Sequence, residues 1–199
     1  MSPRTEETNQ HIREEQRERI LEAAQKLFAH KGFTDTKMTD IAAAAKISYG
    51  LAYHYFANKE EIFTRLVEWA FKGTTNLLLR ARQQPGTPWD RLHWLVTEIL
   101  AGAQQEPEAF MVILQAFTND TVPQEAREIA RQQSEVSQAT LKQLVQEGQA
   151  AGQVVAGDPD QLVTAFSWCL TGLALDMSFL ERPASPLPDA DNVLRILKA

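Results

Sequence analysis

Apolar residues recur along most of this chain at intervals of three and four, which is the period of an amphipathic α-helix. The first clear case is a set of four on one face of a helix predicted over residues 12–31: Ile20, Ala24, Leu27 and Phe28. Gly32 follows directly and predicts the end of that helix, because glycine adopts the left-handed conformation of a C-terminal cap at little cost. Alternation with a period of two, the mark of a half-buried strand, is nearly absent.

Turn residues divide the rest of the pattern into further helices. Asn58 is a good N-cap for a long fourth helix, and Pro85-Gly86-Thr87-Pro88 marks the clearest break in the chain. Helices are predicted at residues 38–45, 48–56, 59–84, 89–105, 107–117, 124–149, 159–181 and 192–198, with a proline-rich irregular stretch at 182–191. The sequence therefore predicts an all-α protein of about nine helices.

Composition fits a globular protein and argues against several other classes. Apolar residues make up 44% of the chain. No run of about 18 apolar residues predicts a membrane span, and the charged N-terminus lacks the apolar core of a secretory signal, so we expect a cytoplasmic protein without a membrane partner. Cys169 is the only cysteine, so the sequence offers no internal disulfide or thiolate cluster, and we expect neither a metal nor a cofactor.

The net charge of −6 is unevenly distributed along the chain. The first 60 residues contain nine basic and nine acidic residues, so the acidic excess lies entirely in the remainder. A neutral N-terminal part can still bind nucleic acid, but through a few well-placed contacts rather than through a broad positive field.

The segment from Thr36 to Lys59 is the most informative part of the sequence. Its two short predicted helices are separated by three or four residues, and its small alanines let the helices cross closely, as in a helix-turn-helix. The second helix starts with Ser48, Tyr49 and Gly50, and this is the end that reaches base edges in such motifs.

Two closely spaced tyrosines follow in the same helix. Tyr53 and Tyr55 carry hydroxyls that suit phosphate oxygens, and the ammonium of Lys59 lies just beyond the helix. The alternative is that these aromatic residues belong to the core. We accept that interpretation for Phe56 and favour a surface-binding role for the two tyrosines.

These residues and their spacing resemble the DNA-binding domain of the TetR family of transcriptional regulators. The matching motifs are Gly32-Phe33, Ile41-Ala42, Ser48-Tyr49-Gly50, Tyr53-His54-Tyr55-Phe56 and Lys59-Glu60-Glu61-Ile62. The resemblance implies a helix-turn-helix DNA-binding domain over residues 12–62, with the helix-turn-helix at about 38–56. It also implies an effector-binding and dimerisation domain over residues 63–199.

The resemblance implies which residues bind a double-stranded DNA operator. The DNA backbone would be held by residues in the second half of the motif: Tyr53, Tyr55 and Lys59. The bases would be faced by the start of the second helix, with the glycine allowing close approach: Ser48, Tyr49 and Gly50. Thr39, at the start of the preceding helix, would face the groove or a phosphate.

Three positions depart from the family pattern. Lys37 stands where a capping serine or threonine is usual. Because lysine cannot accept a hydrogen bond, either Thr36 or Thr39 caps that helix, or Lys37 makes its own phosphate contact. Lys46 replaces the glycine of the turn, which costs about 1 kcal/mol if the residue is left-handed. Leu51 replaces a threonine, and we expect it to pack inward rather than meet a thymine methyl.

In the family, the larger helical domain binds a small molecule and forms a homodimer. We expect an apolar effector pocket lined by aromatic and methionine side chains with a few polar groups: Trp94, Phe110, Met111, Gln115, Trp168 and Asp176. Ordinary core packing is the alternative for each of them. The last two long helices carry surplus apolar surface, which predicts a dimer interface: Leu141, Leu144, Val145, Phe166, Leu170 and Leu173.

The chain is therefore predicted to be a sequence-specific DNA-binding transcriptional regulator, a repressor released from a palindromic operator by a small, largely apolar effector. An enzyme is not expected, since the chain has no glycine-rich phosphate loop, no Gly-x-Ser-x-Gly and no His-Glu-x-x-His motif. The alternative is an all-helical protein-interaction adaptor that binds no DNA. Such an adaptor would not need the two tyrosines and the lysine at this spacing.

Overall fold

The computed structural model describes residues 3–179 and 188–199, and these ranges are almost entirely helical. They contain nine α-helices and a final 3₁₀ turn at Arg195–Leu197: α1 Pro3–Lys31, α2 Met38–Ala44, α3 Tyr49–Tyr55, α4 Lys59–Gln83, α5 Pro88–Gln105, α6 Pro107–Thr118, α7 Gln124–Ala150, α8 Pro159–Phe179 and α9 Ala190–Leu194. Apart from an isolated bridge between Val154 and Lys198, the same ranges hold no β-structure. The predicted all-α fold is confirmed.

Helix boundaries differ most from the predicted ones at the two ends of the chain. Helix α1 begins at Pro3 rather than at residue 12, because its first turns carry no apolar face that periodicity could detect. Helix α9 begins at Ala190 rather than at residue 192, because the side chain of Asp189 caps it by accepting a hydrogen bond from the Asn192 backbone at 2.8 Å. Most of the proline-rich stretch 182–191 lies outside the described residues.

The chain divides into two compact units, neither of which is continuous in sequence. Unit 1 comprises the residues up to Trp69 together with Met111–Ile129. Unit 2 comprises Ala70–Phe110 and the residues from Ala130 onward. The predicted domains, 12–62 and 63–199, were both continuous. The main difference is that the second half of α6 and the start of α7 belong with the helix-turn-helix.

Aromatic rings form the centre of unit 1. Phe28, Phe33 and Phe63 pack against one another with ring centroids 5.7, 5.4 and 5.1 Å apart. Phe56 is 1% exposed and joins this core, as expected, together with buried aliphatic side chains from α1 to α4: Ile20, Ala24, Ile41, Ala42, Ala52, Ile62 and Leu66. Helices as short as α2 and α3 are not stable alone, so this core is what holds them in place.

Unit 2 is built around buried side chains from α4, α5, α7, α8, α9 and the C-terminal turn: Leu78, Leu92, Leu95, Leu144, Phe166, Leu194 and Leu197. This core includes most of the residues predicted for the dimer interface. Four of those six are at most 7% exposed in the single chain, so they offer little surface to a second one: Leu141, Leu144, Val145 and Phe166. Leu170 and Leu173 are only partly buried.

Candidate nucleic-acid interface

Helices α2 and α3 form the predicted helix-turn-helix and are joined by a turn with a defined hydrogen-bond pattern. The backbone N–H of Lys46 donates to the carbonyl of Ala43 at 3.1 Å, and that of Ile47 donates to the carbonyl of Ala42 at 3.0 Å. This pair of bonds is a Schellman motif, which places a left-handed residue after the helix. Lys46 takes that position with a φ of 56°, so it carries the steric cost anticipated for a lysine there.

A pair of tyrosines stands on the exposed face of α3. Tyr49 and Tyr53 pack edge to face with ring centroids 4.8 Å apart, and the hydroxyl of Tyr49 donates to that of Tyr53 at 3.2 Å. They are 52% and 42% exposed, so neither is a core aromatic. The hydrogen bond with Tyr49 raises the pKa of Tyr53 above its usual value. Because the Tyr53 hydroxyl accepts the hydrogen bond from Tyr49, its own proton can be donated to an acceptor outside the protein.

Tyr55 lies on a different face of α3, because residues two apart in a helix do not share a face. It is half-buried. Its ring contacts that of His54 edge to face, with centroids 5.3 Å apart. Of the two predicted backbone-binding tyrosines, Tyr53 is thus the more accessible.

The start of α3 has features that the packing of the protein itself does not explain. A Cβ atom added to Gly50 would meet nothing within 4 Å, and the backbone there is not left-handed. Ser48 caps the helix by accepting a hydrogen bond from the backbone of Leu51 at 3.2 Å, and its own proton can still be donated. Leu51 is 37% exposed and does not pack inward as expected, because Ala52 already fills the inward position.

Lys37 is the N-cap residue of α2, but its side chain does not cap the helix. The backbone N–H of Lys37 donates to the carboxylate of Asp40 at 3.1 Å, and Lys31 pairs with the same carboxylate at 2.6 Å. Lys31 and then the Lys37 backbone lower the pKa of Asp40 below its usual value. Thr36 does not replace the cap, since its hydroxyl donates to a carbonyl of the preceding turn at 2.7 Å. The side chains of Lys37 and Thr39 are exposed at the start of α2.

Lys59 has a role that the sequence did not predict. Its ammonium donates to the backbone carbonyls of Phe33, Thr34 and Thr36 at 2.7, 3.1 and 2.8 Å and lies 4.4 Å from the centroid of the Phe33 ring. These bonds engage all three of its N–H donors. A direct hydrogen bond to a phosphate would require one of them to break. In the DNA-free protein Lys59 thus fixes the loop leading into α2, and its predicted DNA contact stays a prediction.

Two arginines of α1 hold the ends of both short helices. Arg17 donates to the carbonyl of Tyr55 at the end of α3 at 3.1 Å, and its guanidinium lies 4.5 Å from the centroid of the Phe56 ring. Arg19 donates to the carbonyl of Ala45 at the end of α2 at 3.0 Å. Cations stabilise helix C-termini, where the carbonyls are unpaired. Neither contact could be predicted from the sequence, because arginines on the polar face of a helix look like ordinary solvated residues.

Gln115 lies in unit 1 and supports the helix-turn-helix scaffold. Its Nε2 donates to the carbonyl of Phe28 at 2.7 Å, and its Oε1 accepts from the backbone N–H of Phe33 at 3.0 Å. The side chain thus bridges the turn that ends α1. The hydroxyls of Thr121 and Thr34 add a contact of 2.8 Å beside it. The prediction that Gln115 lines an effector pocket in the larger domain is wrong, because both functional groups of its amide are engaged here.

Unit 2 contains a cavity of about 320 Å³ between α4, α5, α7 and α8. Its apolar lining is Leu78, Leu95, Ile99, Leu141, Phe166, Trp168 and Leu170. Its polar lining is the amide of Gln138 and six hydroxyls: Thr74, Ser134, Ser137, Thr164, Ser167 and Thr171. None of the described residues that line it is ionisable. The Oγ of Ser137 is buried and has no hydrogen-bond partner in the part of the chain that the structure describes.

Of the six predicted pocket residues, Trp168 alone lines this cavity. Trp94 is half-buried and lies against the guanidinium of Arg80, 5.1 Å from its ring centroid. Met111 is buried in unit 1 with Gln115, and Asp176 is exposed. Phe110 is half-buried outside the lining. Periodicity located these residues on helices but could not indicate which helices meet around an open space.

The other polar side chains in the described ranges do not meet the requirements of a metal site. Among the described residues, no group of three or more His, Cys, Asp or Glu side chains could hold a metal ion. His93 and Asp191 approach each other to 3.8 Å as a pair at the surface. No helix within residues 3–179 or 188–199 is long and apolar enough to cross a membrane.

Two family models match the chain and together span more than half of it. Residues 20–66, which include the helix-turn-helix, match the model described as bacterial regulatory proteins, tetR family. Residues 85–174 match the model described as tetracyclin repressor-like, C-terminal domain. The motif resemblance at the start of the chain and the larger helical part thus point to the same family.

Two relatives of this chain are named as helix-turn-helix transcriptional regulators. The HTH-type transcriptional repressor NicS of Pseudomonas putida is 26% identical over 136 residues, which cover 68% of this chain and 64% of that repressor, a little under two thirds of its length. The HTH-type transcriptional regulator YfiR of Bacillus subtilis is 28% identical over 172 residues, or 83% of this chain and 80% of that protein. The crystal structure of AibR in complex with isovaleryl coenzyme A and operator DNA has a TM-score of 0.72 and 21% identity, covering 90% of this chain and 96% of that chain. This last likeness is one of fold.

Proposed function

The chain belongs to the TetR family of bacterial regulatory proteins, and from that membership we propose that it is a homodimeric repressor released from a palindromic operator by a small uncharged effector. That it is a DNA-binding transcriptional regulator follows from the family. Repression, the symmetric operator and the chemistry of the effector are the proposed parts. Repression rests on relatives that are named repressors, whereas the symmetric operator and the effector are argued from features of the structure.

The residues on the exposed face of α3 are the main support for the proposed DNA-binding surface. Tyr49 and Tyr53 present two hydroxyls there, and apart from their mutual bond neither has a hydrogen-bond partner among the described residues. Gly50 leaves open space beside them. Residues at the start of the second helix of such motifs reach base edges, and hydroxyls suit phosphate oxygens. A protein-interaction adaptor has no need for this combination.

Roles in DNA binding follow from these positions. We assign the DNA backbone to Tyr53 and Tyr55 and the bases to the start of α3: Ser48, Tyr49 and Gly50. Thr39 and Lys37 flank them from the start of α2, where an exposed hydroxyl and an exposed ammonium suit phosphates. Lys59 acts indirectly, because it holds the loop that leads to Lys37 and Thr39.

A two-fold dimer is proposed because helix-turn-helix proteins read operator half-sites in pairs, about 34–36 Å apart or a multiple of that distance. Among the described side chains of α7 and α8, the exposed large apolar ones are Val136 and Trp168, which are 52% and 73% exposed. Leu170 and Leu173 follow Trp168 along α8 and are partly buried. We place the interface on this part of α7 and α8. Trp168 would then belong to both the interface and the cavity.

The cavity in unit 2 supports an uncharged effector. Its volume of about 320 Å³ lies at the lower end of the usual range for ligand pockets, which is roughly 300–1,000 Å³. A charged group in this pocket would find no side chain of opposite charge in the lining. The phosphates of isovaleryl coenzyme A, the ligand named for AibR, would find no basic side chain in this lining. Six hydroxyls, one of which is the unpaired hydroxyl of Ser137, favour a small apolar molecule that carries hydroxyl, ether or carbonyl groups.

Release from the operator requires a difference in affinity between two states of the protein. An effector that bound the DNA-bound and free conformations equally well would shift nothing, so it must bind the free conformation more tightly. By reciprocity, operator DNA must then weaken effector binding by the same factor. Repression would end when the effector has shifted the population to the conformation that binds DNA weakly.

Selection of bound sequences from a random DNA pool, with purified protein at moderate salt, tests the core of this proposal. We expect enrichment of an inverted repeat, because a two-fold dimer reads the same half-site twice. A folded dimer that enriches no sequence, both as purified and after unfolding and refolding to remove bound small molecules, contradicts the proposal. Enrichment of a single unrepeated site contradicts the symmetric dimer alone.

Replacement of Tyr53 by phenylalanine tests the proposed backbone contact. Y53F keeps the ring and removes the hydroxyl, so we expect a loss of about tenfold in affinity for operator and unrelated duplexes alike, as for one hydrogen bond to a charged group. Fluorescence anisotropy with both duplexes measures it. Thr97→Val, which removes an exposed hydroxyl from α5, serves as the control. Loss of affinity for the operator only would instead make Tyr53 a base contact.

A further inference from the structure

Lys46 is the one residue other than glycine with a positive φ in the part of the chain that the structure describes. It occupies the left-handed position of the Schellman turn between α2 and α3. A side chain there crowds the following carbonyl, whereas glycine adopts this conformation freely. Gly32, Gly86 and Gly152 take the other positive φ values among the described residues. The turn would therefore be more stable with glycine in place of Lys46.

The rest of the protein does not compensate for this strain. The side chain of Lys46 is exposed and makes no hydrogen bond or ion pair with any residue in the described ranges. It fills no core position and caps no helix. Backbone strain that persists without compensation inside the molecule indicates that the residue serves something outside it.

The position of Lys46 indicates what that is. It lies two residues before Ser48, the N-cap of α3, and thus at the end of α3 that faces the DNA bases in the proposed function. A helix seated in the major groove has a phosphate backbone on either side of it. With α3 seated in that way, the exposed lysine at its leading end would be placed to reach one of those backbones.

The surface beside Lys46 is basic as well. A groove of about 430 Å³ between α1 and the turn is lined at its rim by Arg19, Lys26 and Lys46, with Glu22 as the one acidic residue among those that line it. The first 60 residues are neutral as a whole, so this is a local concentration of positive charge. Such a concentration attracts a phosphate backbone.

We propose that the ammonium of Lys46 pairs with a DNA phosphate beside the recognition helix of each protomer. The proposal rests on the DNA-binding function proposed above and adds a contact to it. A flexible side chain with a point charge suits a phosphate, so Lys46 contributes affinity that does not depend on sequence. Each such contact contributes about 0.9 to the slope of log affinity against log salt concentration.

Three substitutions separate the charge of Lys46 from its backbone strain. Lys46→Gly removes both, Lys46→Ala removes the charge and keeps the strain, and Lys46→Arg keeps both. Lys72 is exposed on α4 in unit 2, so Lys72→Ala removes the same charge elsewhere and serves as the matched control. The readouts are affinity for operator and unrelated duplexes over a range of salt concentrations, and the melting temperature of the full chain.

We expect the glycine and alanine variants to lose at least about tenfold in affinity for both duplexes at low salt, with a salt slope smaller by about 0.9 per protomer. Lys46→Arg and Lys72→Ala should bind like the wild type. Lys46→Gly should also melt at a higher temperature than the wild type and Lys46→Ala, which shows that weaker binding is not a folding defect.

Two results overturn the assignment of Lys46 while leaving the proposed function intact. One is an unchanged salt slope in both uncharged variants of a protein that binds its operator. The other is a loss confined to the operator, which would mean contact with a base. Absence of any DNA binding by the wild-type protein would overturn both proposals together.

Discussion

Three residues of this protein stand at positions where another residue type would give a more stable fold, and each lies at a surface that we propose binds a ligand. Lys46 is left-handed without being glycine. Gly50 is a glycine in a helix where neither backbone conformation nor packing requires one. Ser137 buries an unpaired hydroxyl. Such departures from local rules are expected where a residue serves a ligand. Two of these residues flank the start of α3 and the third lines the cavity of unit 2.

Gly50→Ala should therefore have opposite effects on stability and binding. Alanine in a helix is more favourable than glycine by about 0.5–1 kcal/mol, so we expect a slightly higher melting temperature. The added methyl group would occupy the space that DNA needs, so operator affinity should fall at least tenfold. Gly73→Ala is the matched control, since Gly73 is a helical glycine of α4 with equally open surroundings. If G50A binds the operator as tightly as the wild type does, DNA does not approach α3 at that point.

At the level of helices, spacing in the sequence was sufficient to identify the elements but not the contacts between them. The motif around Ser48 and Tyr53 placed α3 correctly, because capping and exposure depend on residues within one or two turns. The partners of Arg17, Lys59 and Gln115 lie 38, 23 to 26, and 82 to 87 residues away. No periodic pattern carries information over such distances. The sequence therefore predicted the surface of the DNA-binding part better than its supports.

The support that Gln115 provides can be tested by Gln115→Met, which keeps the length of the side chain and removes both hydrogen bonds. It leaves the Phe33 backbone N–H without its acceptor, at a cost of about 1–3 kcal/mol. For a chain of this size the melting temperature should fall by roughly 2–4 °C per kcal/mol. Hydrogen exchange at the Phe33 amide measures the effect directly and should accelerate. Gln104→Met, at an exposed position of α5, is the control, and equal exchange in both variants would show that Gln115 does not hold this turn.

At the level of the whole molecule, the proposed regulation requires that the cavity in unit 2 and the proposed DNA-binding surface in unit 1 bias the same equilibrium. The chain passes between the two units at residues 69–70, 110–111 and 129–130, within helices α4, α6 and α7. The coupling is a free energy shared by the two ligands, so either one can be used to measure it.

Ser137→Ala tests whether the cavity is one end of that coupling. Removing a buried hydroxyl without a partner should raise the stability of the ligand-free protein by about 1 kcal/mol. Ser134→Ala, on the same helix, supplies the gain from helix propensity alone and is the reference for that comparison.

A thermal-shift screen of neutral hydroxyl- and carbonyl-bearing compounds against their carboxylated analogues should find stabilisation by the neutral members, because ligand binding raises stability with the ratio of ligand concentration to Kd. The same compounds should weaken operator binding by the wild type and do so less in S137A. Without the Ser137 hydroxyl the compound binds less tightly, so it shifts the equilibrium less at a given concentration. Stabilisation by the carboxylated analogues, or an equal effect on operator binding in both proteins, would mean that the effector binds elsewhere.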